Sequence, residues 1–252
     1  MIDFTIWIVL LIALAGFIKG FTGFGLSLIL ISVLIELGIP PETFLPIIVP
    51  LFVTLDILLY IENRKHVTLN FKENFTLHST TLITLFIGIL LGTYLLTIAG
   101  TEILKLVFAI TVLIIIFFLI EKVDKSNMKL PSERSNGFFG LGTGILTGLF
   151  TLNSVPTSLY LLYNQYSKEK YMGALVTFLM ISNLLLVSVY LFKELFTLEG
   201  FIISMQLIGI VLVGFFLGSF IRRHVPTKHF KAIVILILAL NSLKIIFDFI
   251  TF

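Results

Sequence analysis

Residues 137–163 read GFFGLGTGILTGLFTLNSVPTSLYLLY. The stretch is apolar, but it outlasts the roughly 17–25 residues that one membrane-crossing helix needs. Gly137, Gly140, Gly142, Gly144 and Gly148 are followed by Asn153-Ser154-Val155-Pro156. A lipid-facing helix would avoid such a centre, because irregular backbone at membrane depth is tolerated only where protein or a water-filled cavity satisfies it. The reading is therefore two helical pieces broken near Asn153. Pro156 suits a first helical turn, and Asn153 or Ser154 can cap it.

Composition supports a membrane setting. Of 252 residues, 58% are hydrophobic and 12% are charged, against about a quarter charged in a soluble domain. Such a chain cannot cover a globule with polar surface, and it is too hydrophobic for disorder. With no Cys, a disulfide framework, a thiolate metal site and a cysteine nucleophile are excluded. A net charge of +3 gives no footprint for nucleic acid. No metal site or cofactor is expected. Met1-Ile2-Asp3 lacks the basic region of a cleavable signal, so the leading segment is expected to remain as membrane structure.

Six further segments have spanning length: 43–61, 75–98, 102–120, 172–191, 200–219 and 231–251. Residues 4–35 repeat the anomaly of 137–163, being too long for one upright helix. The two regions also align. Gly16-x-x-x-Gly20 matches Gly144-x-x-x-Gly148, and Gly88-x-x-x-Gly92-Thr93 matches Gly214-x-x-x-Gly218-Ser219. Two homologous halves are expected, 1–120 and 137–252, joined by a polar linker at 121–136.

Cation distribution gives the orientation, since Lys and Arg gather in cytoplasmic loops. If every apolar stretch crosses, the two sides share the cations almost evenly. If 137–163 dips in and returns, loops 62–73, 121–136, 164–171 and 220–231 hold 13 of the 17 Lys and Arg. The expected fold is thus all-α: two inverted repeats, each a re-entrant or broken helical hairpin plus three transmembrane helices. Both termini should lie outside and the linker in the cytoplasm of a bacterial-type inner membrane. Inverted repeats with discontinuous helices are a recurrent plan of secondary transporters.

The two breaks carry the candidate chemistry. The first offers Lys19, Thr22, Gly23, Phe24, Gly25 and Ser27, the second Thr151, Asn153 and Ser154. A half-helix starting at each break presents free N–H groups and a positive dipole end, which suit an anion. The competing reading is that glycine serves close helix packing. That reading is preferred for Gly88, Gly92, Gly214 and Gly218, and the ligand reading for the breaks. Lys19 could attract an anion or pair with Asp56, or its long stem could reach an interface. Asn183 could line a cavity or hold two helices together. Asp56 is a candidate for proton or cation coupling, or a structural partner of Arg64.

The pattern Gly16-x-x-x-Gly20-x-x-Gly23-x-Gly25, with Leu37-Gly38-Ile39-Pro40-Pro41-Glu42 after the next apolar run, resembles the sulfite exporter TauE/SafE family. So does the glycine-rich stretch ending at Pro156, with Lys168-Glu169-Lys170 in place of the second Pro-Pro-Glu. The resemblance implies a multi-pass transporter of small anions: sulfite, sulfonates, related sulfur compounds or organic acids. The partners would be an anionic solute and membrane lipid. The alternative from another class is a non-transporting assembly subunit held by glycine-mediated packing. An intramembrane enzyme has little support, because all four histidines lie in or beside loops.

Overall fold

The computed structural model describes residues 6–22, 26–64, 79–120, 133–163, 168–222, 243, 246 and 247. Among these the regular elements are all helical: α1 (Ile6–Thr22), α2 (Leu26–Glu36), α3 (Pro41–Asn63), α4 (Ser79–Ile98), α5 (Thr101–Ile120), α6 (Glu133–Phe150), α7 (Ser154–Tyr163), α8 (Lys168–Phe192) and α9 (Leu198–Arg222). Four are long and apolar enough to cross a membrane, within Pro41–Asn63, Ser79–Ile98, Gly173–Phe192 and Leu198–Ile221. Most of the expected span 231–251 lies outside the described residues.

The stretch 137–163 is broken, into α6 and α7 with 151–153 between them, and within 4–35 the described helices are α1 and α2, residues 23–25 lying outside the described set. Helix α6 begins at Glu133, so the end of the expected linker is already helical. Element order recurs: adding 128 to α1, α2 and α3 reproduces α6, α7 and α8 to within a residue at each end.

Local signals set the ends. Gly38, with φ 74°, terminates α2 in a Schellman motif, its N–H bonding Ile35 O at 2.9 Å while Ile39 N–H bonds Leu34 O at 3.1 Å. Pro41 then opens α3, where its missing N–H costs nothing, and Glu42 complements the dipole of that first turn. Helix α8 closes with the same motif although its left-handed residue is Glu194, with Leu195 N–H on Tyr190 O at 3.0 Å.

The chain forms two compact units, and α3 contributes to both. The first comprises Met1–Leu51, Ala99–Glu121 and Phe196–Phe252. Its main packing is α1 on α9. A Cβ on Gly16 or Gly20 would strike the carbonyl oxygen of Val211 or Phe215, and one on Gly214 or Gly218 would strike that of Ala13 or Phe17. Ser204 Oγ also donates to Ile47 O, at 2.7 Å.

The second unit comprises Phe52–Ile98 and Lys122–Leu195. Its main packing is α4 on α6, built the same way. Cβ atoms on Gly88 and Gly92 would meet the carbonyls of Leu141 and Ile145; on Gly140, Gly144 and Gly148, those of Thr81, Leu85 and Ile89. Water supplies no drive for helix association inside lipid, so close backbone approach and van der Waals contact must supply it. Helix α7 packs on α8 through Tyr160, Leu161, Ala174, Leu175 and Leu179. Ile83, Phe86, Ile87 and Leu91 of α4 remain exposed, as expected of a lipid-facing side.

Candidate functional site

The break between α6 and α7 is built by an unusual residue. Thr151 takes the left-handed conformation at φ 51°, which a β-branched side chain rarely adopts. Its N–H bonds Thr147 O at 2.8 Å, and Leu152 N–H bonds Leu146 O at 3.2 Å, so the carbonyls of Leu146 and Thr147 in the last turns of α6 are satisfied. Glycine does not make this reversal: Gly148 packs within α6 against α4, and threonine makes the turn. Thr151 is only 2% exposed, and its hydroxyl has no hydrogen-bond partner among the described residues. An unpartnered buried hydroxyl costs about 1–3 kcal/mol, which a ligand would recover.

Asn153 precedes α7 and was expected to cap it. Its backbone carbonyl does receive Thr157 N–H at 3.1 Å. Its side chain turns elsewhere: Nδ2 donates to Ser182 Oγ at 2.8 Å and to Asn183 Oδ1 at 3.0 Å, both on α8. No hydrogen bond links the N–H groups of Asn153, Ser154 or Val155 to another described residue, and Pro156 has no N–H to offer. The start of α7 is therefore an uncapped, buried amide end beside an unpartnered hydroxyl.

The polar contacts continue inward. Asn183 Nδ2 donates to Asp56 Oδ2 across α8 and α3, and Ser182 Oγ donates to Leu179 O at 2.9 Å. Asp56 is 1% exposed and Asn183 2%. Asp56, Asn183, Asn153 and Ser182 thus form one buried chain from α3 to the break. Sequence reasoning singled out Asp56, Asn153 and Asn183 without joining them, and Ser182 was not among its candidates.

The first-half residues are distributed differently. Lys19 lies in the last turn of α1, where a cation complements the dipole, and is 6% exposed, so its stem does not carry it to an exposed position. Thr22 ends α1, and its side chain lies outside the described set. Gly23, Phe24 and Gly25 fall outside the described residues altogether. Ser27 is buried in the first turn of α2. Among the described residues no group of His, Cys, Asp and Glu could hold a metal ion.

The profile of the sulfite exporter TauE/SafE family matches residues 8–245. The chain belongs to that family. No curated protein and no solved structure matches it significantly. As a TauE/SafE protein, and with several apolar helices of spanning length, it is a multi-pass membrane transport protein. The family match runs through both broken stretches.

Proposed function

We propose that this TauE/SafE protein is a secondary transporter for a small anion, such as sulfite, a sulfonate, a related sulfur oxyanion or an organic acid, working by alternating access. The observation that carries the reading is the unpartnered Thr151 hydroxyl beside the uncapped start of α7. An anion there would receive the hydroxyl proton and the free N–H groups of residues 153–155, aided by the helix dipole. Ser154 supplies a second hydroxyl. Asn153 and Asn183 position the break, because both amide hydrogens of Asn153 are already given to α8.

We assign the matching break after α1 the same role, with Lys19, Thr22, Gly23, Phe24, Gly25 and Ser27 as its ligands. The halves are inverted, the linker is cytoplasmic and both termini face outward, as the cation distribution favours. A pure assembly role has less support, because the stem glycines are already used within the chain.

The absence of native Cys makes the test direct. Single cysteines at Thr151 and Ser154 should react with a small aqueous thiol reagent in membrane vesicles, and sulfite-free sulfonate should slow the reaction. Unreactive positions in a folded protein would contradict an anion site at the break. Counterflow of labelled sulfonates and carboxylates would then rank substrates.

A further inference from the structure

A threonine inside a helix can give its hydroxyl proton to the carbonyl one turn back, and several in the second unit do so. Thr84 donates to Thr80 O at 2.9 Å, Thr147 to Thr143 O at 2.7 Å and Thr177 to Gly173 O at 2.8 Å. Thr93 of α4 does not. It is fully buried, and its Oγ1 has no hydrogen-bond partner among the described residues. The carbonyl one turn back, Ile89 O, is left to face Gly148 of α6. The Thr93 hydroxyl has passed over the nearest acceptor that its helix offers.

The packing of α4 on α6 fixes the level of that residue. The two helices run parallel in constant register: Cβ atoms on Gly140, Gly144 and Gly148 would strike the carbonyl oxygens of Thr81, Leu85 and Ile89 in turn. The next rung pairs Thr93 with position 152, and α6 has already ended at Phe150. Thr93 therefore stands level with the break at 151–153, its N 2.6 Å from where a Cβ on Gly148 would be. It belongs to the buried stripe of α4, with Leu85, Ile89 and Leu96. The first unit repeats the arrangement. Gly16 and Gly20 face the carbonyls of Val211 and Phe215, Ser219 N would lie 2.9 Å from a Cβ on Gly20, and Ser219 is buried. In both halves a hydroxyl residue follows the second seam glycine, as Gly92-Thr93 and Gly218-Ser219.

Resting on the anion-site reading above, we infer that Thr93 is a further substrate ligand, its hydroxyl donating across the α4–α6 seam to an anion held at the start of α7. The anion is then gripped from two walls. The break gives the Thr151 hydroxyl and the N–H groups of 153–155, and the facing helix gives Thr93. Thr143 provides the contrast. Its Oγ1 is also buried with no partner among the described residues, but it precedes Thr151 by two turns, about 12 Å along α6. It shares the chemistry of Thr93 without the position, and position carries the assignment.

The test measures methanesulfonate binding to the full chain in lipid nanodiscs. Thr93→Val keeps the shape of the side chain, removes the hydroxyl, and should weaken binding about tenfold or more. Thr93→Ser should bind nearly as the wild type does, and Thr143→Val should bind as the wild type does. In the Cys-free chain, Thr93→Cys should react with a small aqueous thiol reagent, and methanesulfonate should slow the reaction; this reads the position even if Thr93→Val fails to fold. Wild-type affinity in Thr93→Val, with Thr151→Val weakened, would overturn the role of Thr93 and leave the anion site standing. An equal loss in Thr143→Val would overturn it too, as would a thiol at position 93 that methanesulfonate does not protect. Failure of the wild type to bind, or full affinity in Thr151→Val, would overturn the anion site itself.

Discussion

At the scale of single residues, Thr151 combines two costs, and they can be separated. Its left-handed backbone costs about 1–2 kcal/mol for a residue with a Cβ, and its hydroxyl is buried with no partner among the described residues. Thr151→Gly removes both. The variant should melt at or above the wild-type temperature in nanodiscs while anion transport falls severalfold. Thr151→Val keeps the strain and loses only the hydroxyl, so it should lose transport while gaining about 1–3 kcal/mol from removal of the unpartnered group. Equal transport in all three proteins would show that the hydroxyl does nothing. Asn183 makes a complementary case. Asn183→Leu strips a donor from Asp56 and an acceptor from Asn153, and should cost about 1–3 kcal/mol in thermal or denaturant unfolding. Ser188→Ala removes only a bond to Leu184 O on the exposed side of the same helix and should be neutral within error.

Elements show which glycines are packing devices. In α6, Gly144 has no room for a Cβ, because the Leu85 carbonyl occupies the space, whereas Gly142 two residues earlier has nothing within 4 Å. Gly144→Ala must push two backbones apart, at about 1–3 kcal/mol. Gly142→Ala should stabilise α6 by about 0.5–1 kcal/mol through its better helix propensity. The pair Gly214→Ala and Gly209→Ala should divide the same way on α9, because of these two only Gly214 faces a neighbouring backbone. Melting temperatures of the four variants check this directly. Here the sequence was informative about the fold and less so about the site. The 128-residue register, the two broken stretches and the packing role of Gly88, Gly92, Gly214 and Gly218 could all be read from spacing. The role of Gly148 could not, because a glycine near a break looks alike whether it turns the chain or admits a neighbouring helix. Nor could the bond from Asn183 to Asp56. A near-clue existed: the same register puts Asn183 opposite Leu55 and Asp56 opposite Leu184, adjacent positions in matching helices. Nothing in one dimension, however, says that those helices bring the two side chains together.

For the whole molecule, the decisive fact is how the chain is shared between its units. The first takes α1, α2, part of α3, α5 and α9; the second takes the rest of α3 with α4, α6, α7 and α8. Each sequence half lends its broken stem to a helix of the other half, α1 to α9 and α6 to α4. Neither half alone contains a complete unit. Expressed singly, 1–126 and 127–252 should each be degraded or aggregate. Produced together, they should assemble and restore anion transport. A stable, monodisperse 1–126 fragment would contradict this.

The α1–α9 seam also has a consequence for biogenesis. Its Gly16-x-x-x-Gly20 face leaves the ribosome long before Gly214 and Gly218, with helices α2 to α8 made in between. While those helices are synthesised, that smooth, sticky ridge stands without its mate. Whatever chaperones nascent helices in the bilayer must shield it from other small-residue ridges until α9 arrives.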